Sequence, residues 1–150
     1  MSRRTTFRRA GSLLGAAVTL GVIALQLRSA AADYFFHEDT EESVRRALAL
    51  APGNVDYWDR LAQLDAGNGA AIHRKRLELQ PRLIGPRIEL ATRAEFEGDF
   101  RGAEKLLLET SSQDRTWLPR WVLTNYYFRR GELANFWKWA VSSMPYAHGD

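Results

Sequence analysis

Two segments of the chain share one pattern of residues. Residues 86–99 read PRIELATRAEFEGD and residues 119–132 read PRWVLTNYYFRRGE. In both, Pro-Arg, a leucine and a glycine followed by an acidic residue stand at the same relative positions. An offset of about 33 residues is typical of stacked helix pairs, each of which buries its apolar face only against its neighbours. The repeat therefore predicts an array of helices, an architecture that commonly serves as a binding scaffold.

The N-terminal segment, up to Arg28, differs in composition from the rest of the chain. Residues 2–9 contain four arginines and no acidic residue, and residues 10–27 contain no charged residue. A helix of that apolar length measures about 27 Å, close to the hydrocarbon thickness of a bilayer. The same pattern describes a secretory signal, and the alanines at 30–32 resemble its cleavage site. The length of the apolar run and the charge of Arg28 after it favour a retained anchor, and a cleaved signal is the alternative.

The charges on either side of the apolar segment predict its orientation. Four arginines precede it, whereas Arg28 and then the acidic run at 37–42 follow it. Because positive residues favour the cytoplasmic side, we expect a single-pass protein with a cytoplasmic N-terminus and an extracytoplasmic main part, periplasmic in a bacterium. Cleavage of the leader would instead leave a secreted or periplasmic protein. The predicted organisation is a basic tail at 1–9, the anchor or signal segment at 10–28, a linker at 29–37 and a helical repeat domain at 38–148.

The overall charge of the chain hides a difference between its two parts. Five of the 21 basic residues lie in or beside the apolar segment, while all 18 acidic residues fall from Asp33 onward. The main part therefore carries 16 basic against 18 acidic residues, a net charge of −2. It lacks the basic footprint of a nucleic-acid-binding protein. The chain also contains no cysteine, which excludes disulfides, thiolate catalysis and cysteine zinc sites.

The residue pattern does not indicate an enzyme. The three histidines, His37, His73 and His148, have no ligand-like spacing, and no nucleotide-binding loop or hydrolase motif is present. The glycine-rich segment 98–102 resembles a phosphate loop, but no strand pattern precedes it, so we interpret it as a turn between helices. We therefore predict a non-catalytic protein with no cofactor and no metal.

Apolar residues from about residue 40 recur at helical spacing and never alternate as in a half-buried strand. This spacing predicts an all-α fold: a short solenoid of about three helix pairs plus a leading helix, preceded by the hydrophobic N-terminal helix. In the last predicted helix, the apolar residues keep the spacing of one buried face. They are Leu133, Phe136, Trp137, Ala140, Val141 and Met144. We expect Phe136, Trp137 and Tyr127 to lie in the core.

Residues 44–145 resemble tetratricopeptide repeats. An aromatic residue, a Leu-small pair, a glycine with an acidic neighbour and a small residue at the helix crossing recur in the order of that family. They are Trp58, Leu61-Ala62, Leu90-Ala91, Gly98-Asp99, Ala103, Leu123, Tyr127 and Gly131-Glu132. The sequence departs from the pattern where Phe136 takes the slot of Ala103 and where the unit from Pro52 to Pro81 is shorter than the repeat. The resemblance implies a curved surface that docks extended peptides or partner domains.

The same resemblance places nine side chains on the concave surface. They are Asp59, Gln63, Ile88, Thr92, Glu95, Phe96, Trp121, Asn125 and Phe128. Their mixture of aromatic and amide groups suits an extended peptide, whose backbone needs hydrogen bonds. A second candidate surface surrounds Trp139 and Tyr146, because nine of the 17 aromatic residues fall between residues 117 and 146.

These observations predict a protein–protein interaction scaffold, tethered to the membrane, with its repeats outside the cytoplasm. A cell-envelope or polysaccharide-assembly complex is the context that similar repeats suggest. The partner is expected to be another protein or a peptide, with the membrane engaged through residues 10–27 and no nucleic acid. Two alternatives remain open: self-assembly into a homo-oligomer through the aromatic C-terminal repeat, and a non-catalytic subunit of an envelope enzyme.

Overall fold

The computed structural model describes the backbone of residues 3–147 and the side chains of residues 15–147. The predicted basic tail at 1–9 and His148 therefore lie outside the residues whose side chains are described. Within the described backbone, the chain forms eight α-helices and two short 3₁₀ turns, Ala66–Asn68 and Met144–Tyr146. The helices are α1 Arg3–His37, α2 Glu41–Leu50, α3 Val55–Leu64, α4 Gly69–Leu79, α5 Gly85–Phe96, α6 Phe100–Gln113, α7 Trp117–Arg129 and α8 Leu133–Ser143.

The predicted all-α fold is confirmed. No strand occurs among residues 3–147, and the seven helices expected after the linker correspond to α2 to α8. The chain divides into two compact units, a first unit Met1–Leu64 and a second unit Asp65–Asp150. Each unit is built from antiparallel helix pairs, because the connections between consecutive helices are short.

The end of α1 belongs to the core of the first unit. Ala32 is fully buried, and the Phe36 ring stacks on Tyr57 of α3 with 4.6 Å between ring centroids. The Tyr57 hydroxyl donates a hydrogen bond to the carboxylate of Asp33. Burial and this carboxylate raise the pKa of Tyr57 to about 12. Residues 29–37, which the sequence analysis assigns to a linker, thus continue α1 as a packed helix end.

The apolar part of α1 has a different environment. The segment Gly15–His37 is 23 residues long, and its most apolar 18-residue window has a mean hydropathy of 1.4, with only 6% of that window buried. Leu20, Leu25 and Leu27 each expose more than half of their surface. This apolar part of α1 is therefore not buried in the core of the first unit, unlike the end of the same helix. By length and composition it could cross a membrane, and a signal sequence has the same properties.

The turns after α5 and α7 have the same backbone structure. Gly98 and Gly131 adopt φ angles of 87° and 71°, the left-handed conformation that glycine tolerates best. The next residue in each turn donates its amide five residues back, Asp99 to Ala94 at 2.8 Å and Glu132 to Tyr127 at 3.0 Å. Both are Schellman turns. The repeat in the sequence is thus also a repeat in the structure.

Replacing Gly98 or Gly131 by alanine is expected to lower the free energy of unfolding by about 1 kcal/mol. An added Cβ at either position meets nothing within 4 Å, so the cost comes from the backbone conformation alone. Urea denaturation of the full chain in mild detergent, followed by circular dichroism, measures this change. The matched control is Gly85→Ala, where a Cβ also meets nothing and φ is not positive. A loss of equal size in the control would contradict the prediction.

The core of the second unit forms where α5, α6 and α7 meet. Its buried residues are Ala91, Ala103, Leu107, Leu123, Tyr126 and Tyr127, and five half-buried residues pack against them: Ala94, Leu106, Val122, Phe136 and Trp139. Two tyrosine hydroxyls join α7 to the start of α6. Tyr126 donates to the Phe100 carbonyl at 2.8 Å, and Tyr127 donates to Glu104 Oε1 at 2.7 Å. Burial and the Glu104 carboxylate raise the pKa of Tyr127.

The core positions expected for Tyr127 of α7 and for Phe136 and Trp137 of α8 are partly wrong. Tyr127 is buried as predicted and Phe136 is half-buried, but Trp137 exposes 62% of its surface. The side of α8 that faces the core carries Phe136 and Trp139 instead. Trp137 follows Phe136 by about 100° around the helix, which turns its side chain out of the core. The apolar residues of α8 therefore occupy two faces, of which the core covers one.

Candidate functional site

A cavity of about 570 Å³ opens between α5 and α7 in the second unit. Most of its lining residues on α5 and on α7 recur at three or four positions, so each of these two helices contributes one face. They are Ile88, Thr92, Glu95 and Phe96 from α5, Phe100 from α6, and Trp121, Val122, Asn125 and Arg129 from α7. The hydrogen bond from the Tyr126 hydroxyl to the Phe100 carbonyl joins Phe100 to α7, which lines the same cavity.

The cavity brings together six of the nine residues that the sequence analysis places on the concave surface: Ile88, Thr92, Glu95, Phe96, Trp121 and Asn125. Phe128 does not line it and instead contacts Phe136 of α8, with ring centroids 5.4 Å apart. Asp59 and Gln63 lie in α3 of the first unit, where the Gln63 amide donates to the Asp59 carboxylate at 3.3 Å. That these nine residues bind a partner stays a prediction.

Sequence reasoning missed three lining residues, Phe100, Val122 and Arg129. Phe100 begins α6, outside the two helices that carry the other lining residues, and Val122 lies next to Trp121. The sequence does contain a signal for Arg129, because it stands four residues after Asn125 and eight after Trp121, on the same helix face. Helical spacing alone was thus sufficient to find it.

The charged residues of the cavity pair with each other. Arg129 donates from Nε to Glu95 Oε1 at 2.9 Å and from Nη2 to Oε2 at 2.7 Å. This two-point geometry is the strong form of an arginine–carboxylate contact, and it joins α7 to α5. The hydrogen bond to Glu95 raises the pKa of Arg129. The pair leaves the cavity wall without net charge, so that its apolar and amide groups dominate its surface.

Aromatic side chains give the cavity exposed apolar surface. Phe96 exposes 92% of its surface, and Trp121 and Phe100 remain partly exposed. The Trp121 ring stacks on Trp117 with 5.1 Å between centroids, and the Arg130 guanidinium lies 3.7 Å from the centroid of Phe100. These contacts limit the motion of two of the three rings before any ligand arrives. Large exposed aromatic side chains of this kind dominate the energetics of protein interfaces.

Asn125 adds a polar group to this surface. Its side-chain nitrogen donates to the Trp121 carbonyl one turn earlier at 2.9 Å, which fixes the orientation of the amide. The side-chain oxygen and the second N–H remain available as an acceptor and a donor. A fixed amide among apolar groups can pair with the backbone of an extended peptide, while the apolar groups receive its side chains.

The second surface that the sequence analysis proposed has a different composition in the structure. Trp139 is half-buried against the core, and the Tyr146 ring lies 4.2 Å from the Arg120 guanidinium. Most of the exposed apolar surface of this end lies instead on the outer face of α8 and on Met144 directly after it. The residues that form it are Leu133, Trp137, Val141 and Met144. Trp139 therefore supports the core of the second unit, and it is Trp137 that lies at the surface.

Comparison with known proteins supports the fold. No protein-family model matches the sequence, and no curated protein matches it. Among solved structures, the chain is similar to one titled "MamA D159K mutant 1", with a TM-score of 0.54 and 18% sequence identity. The similarity covers 82% of this chain and 75% of that one. That structure is a tetratricopeptide-like helical repeat, so the fold of this chain is tetratricopeptide-like as well.

Proposed function

We propose that this protein is a non-catalytic adaptor that binds an extended segment of a partner protein in the cavity between α5 and α7. The observation that carries the proposal is the make-up of the cavity wall. Exposed aromatic rings, a fixed amide and an internally neutralised ion pair share one 570 Å³ space. These groups suit a peptide that inserts an apolar side chain beside Phe96 and Trp121 and pairs its backbone with Asn125.

We further propose that α1 tethers the adaptor to a membrane, with the repeats on the extracytoplasmic side. The support is the exposed apolar surface of Gly15–His37 and the arginines that precede it in the sequence. Tethering would raise the effective concentration of the cavity near membrane-bound partners without any chemical step. A complex that assembles the cell envelope or its polysaccharides is the proposed setting.

Site-specific photo-crosslinking tests the cavity as the binding site. A benzophenone amino acid at position 96, in the full chain expressed in the cells that naturally produce it, is expected to crosslink one partner protein. Mass spectrometry of the crosslinked peptide would then identify an extended, apolar segment of that partner. Adding Trp121→Ala and Asn125→Ala to the same chain is expected to reduce the crosslink at least tenfold, because both groups contact the proposed peptide. Helicity should not change, since Trp121 is an exposed residue.

The matched control is Leu118→Ala, which removes an apolar side chain from the same helix as Trp121 and Asn125, outside the cavity and 47% exposed. It should leave the crosslink from Phe96 at the level of the unmodified chain. A crosslink that survives the double alanine change, or that falls equally with Leu118→Ala, would rule out the cavity as the binding site.

A further inference from the structure

The outer face of α8, continued by Met144 in the 3₁₀ turn that follows, carries an apolar stripe, defined here as Leu133, Trp137, Val141 and Met144. These residues expose 58%, 62%, 59% and 61% of their surfaces. Their spacing of four, four and three positions keeps them on one side of the helix. The only charged residue of α8, Lys138, lies about 100° from Trp137 and flanks the stripe, three residues before Val141. Large apolar groups this exposed and this close together mark an interaction surface.

The helix one repeat earlier shows what such a face binds. The positions that correspond there to Leu133 and Trp137 are Phe100 and Glu104, both on α6. Both contact the next helix, α7: the Phe100 carbonyl and the Glu104 carboxylate accept the hydroxyls of Tyr126 and Tyr127. The side of α6 that carries Glu104 therefore packs on a helix, although Leu108, the counterpart of Val141, stays 37% exposed. By the repeat, Trp137 stands on α8 where α6 has a residue that contacts the next helix.

The order of residues in the stripe points to α8 of a second copy. Two α8 helices placed antiparallel across a two-fold axis would set Leu133 of each copy opposite Met144 of the other. The same axis sets Trp137 opposite Val141, because both pairs are centred on the middle of the helix. We propose that the protein forms a homodimer through this antiparallel contact. An isologous interface requires this kind of self-complementary surface.

The area of the stripe fits a weak contact with a second copy. Four side chains exposed by about 60% offer roughly 450 Å² per copy, or about 900 Å² together, which is below the roughly 1,200 Å² of stable specific interfaces and in the range of weak ones. Phe128, 59% exposed and in contact with Phe136 of α8, extends the apolar surface at its edge. The stripe has no charge that a different partner would need to complement. A second copy brings an equal stripe, and we expect a weak dimer that forms at micromolar concentration.

Cysteine crosslinking of the full chain tests this arrangement directly. Because the chain contains no cysteine, every disulfide in a single-cysteine variant joins two copies. Leu133→Cys and Met144→Cys chains, reconstituted together in liposomes and oxidised, are expected to form a mixed disulfide dimer. Either variant alone should form far less, because antiparallel helices hold identical end residues too far apart for a disulfide, which needs Cα atoms within about 7 Å. Lys105→Cys, whose side chain on α6 is 76% exposed, measures random collision.

A second substitution separates this contact from the cavity. Trp137→Glu in the mixed sample is expected to reduce the disulfide dimer at least tenfold, since it places two carboxylates in the interface. Phe96→Glu, equally polar and in the cavity, should leave it unchanged. A mixed yield no higher than that of Lys105→Cys would overturn the proposal. So would efficient crosslinking of Leu133→Cys alone, which requires parallel helices, or a loss caused by Phe96→Glu and not by Trp137→Glu.

Discussion

Replacing Leu123 with alanine is expected to lower the free energy of unfolding of the second unit by about 3 kcal/mol. Leu123 has no exposed surface and lies in the core that α7 shares with Ala103 and Leu107 of α6. Removing three carbon atoms there leaves a cavity that the rigid helix pairs can fill only in part. Urea denaturation followed by tryptophan fluorescence measures the change, because four of the five tryptophans belong to the second unit.

Leu118→Ala is the matched control for this prediction. It makes the same chemical change in the same helix, but Leu118 is 47% exposed. We expect a loss below about 1 kcal/mol, because most of the removed surface is already in contact with water. Equal losses for the two leucines would mean that the side of α7 carrying Leu123 does not form the core.

The sequence predicted the helices well because the signals involved are local. The spacing of apolar residues acts within one or two turns of the chain. So do the proline near the start of the first helix of each repeat and the glycine that follows that helix. The constant offset of the repeat then predicted that neighbouring helix pairs pack alike, as the two Schellman turns at Gly98 and Gly131 confirm. The repeat is not strict, since Leu123 is fully buried and Leu90, its counterpart, is only half-buried.

The residues whose burial or secondary structure was predicted wrongly depend on contacts with residues distant in the sequence. Helical spacing shows that α8 has apolar residues on more than one face, but it cannot tell which face a neighbour covers. Trp137 was therefore placed in the core, where the structure has Trp139. For the same reason the spacing did not show that Phe36 would pack on Tyr57, or that residues 29–37 would be helical.

The candidate site was predictable to the extent that one helix face determines it. The lining residues of α5 follow from helical spacing once Ile88 is placed on the concave side. Phe128 follows Trp121 by seven residues, which fits the same face, yet its ring packs toward α8 and does not line the cavity. The ion pair between Glu95 and Arg129 joins residues 34 positions apart. No local pattern predicts such a pair.

Replacing Ala103 with phenylalanine is expected to destabilise the second unit by about 3 kcal/mol, by overpacking. Ala103 is fully buried where α6 crosses its neighbours, and Ala91 of α5 is buried in the same core. Phe136 occupies the equivalent position of the next repeat, where its ring is only half-buried and packs against Phe128 and Trp137. A ring fits at that position because the core covers the Phe136 side chain only in part.

The control is Ala71→Phe, the same change at an exposed position of α4. There only the helix propensity differs, and we expect a loss of about 0.5 kcal/mol. Urea denaturation of the two full-length variants compares them directly. If Ala103→Phe were no more destabilising than Ala71→Phe, the α6 crossing would have room for a ring. The helix crossing would then not require a small residue at this position. The alanine that the tetratricopeptide pattern places there would have no explanation in packing.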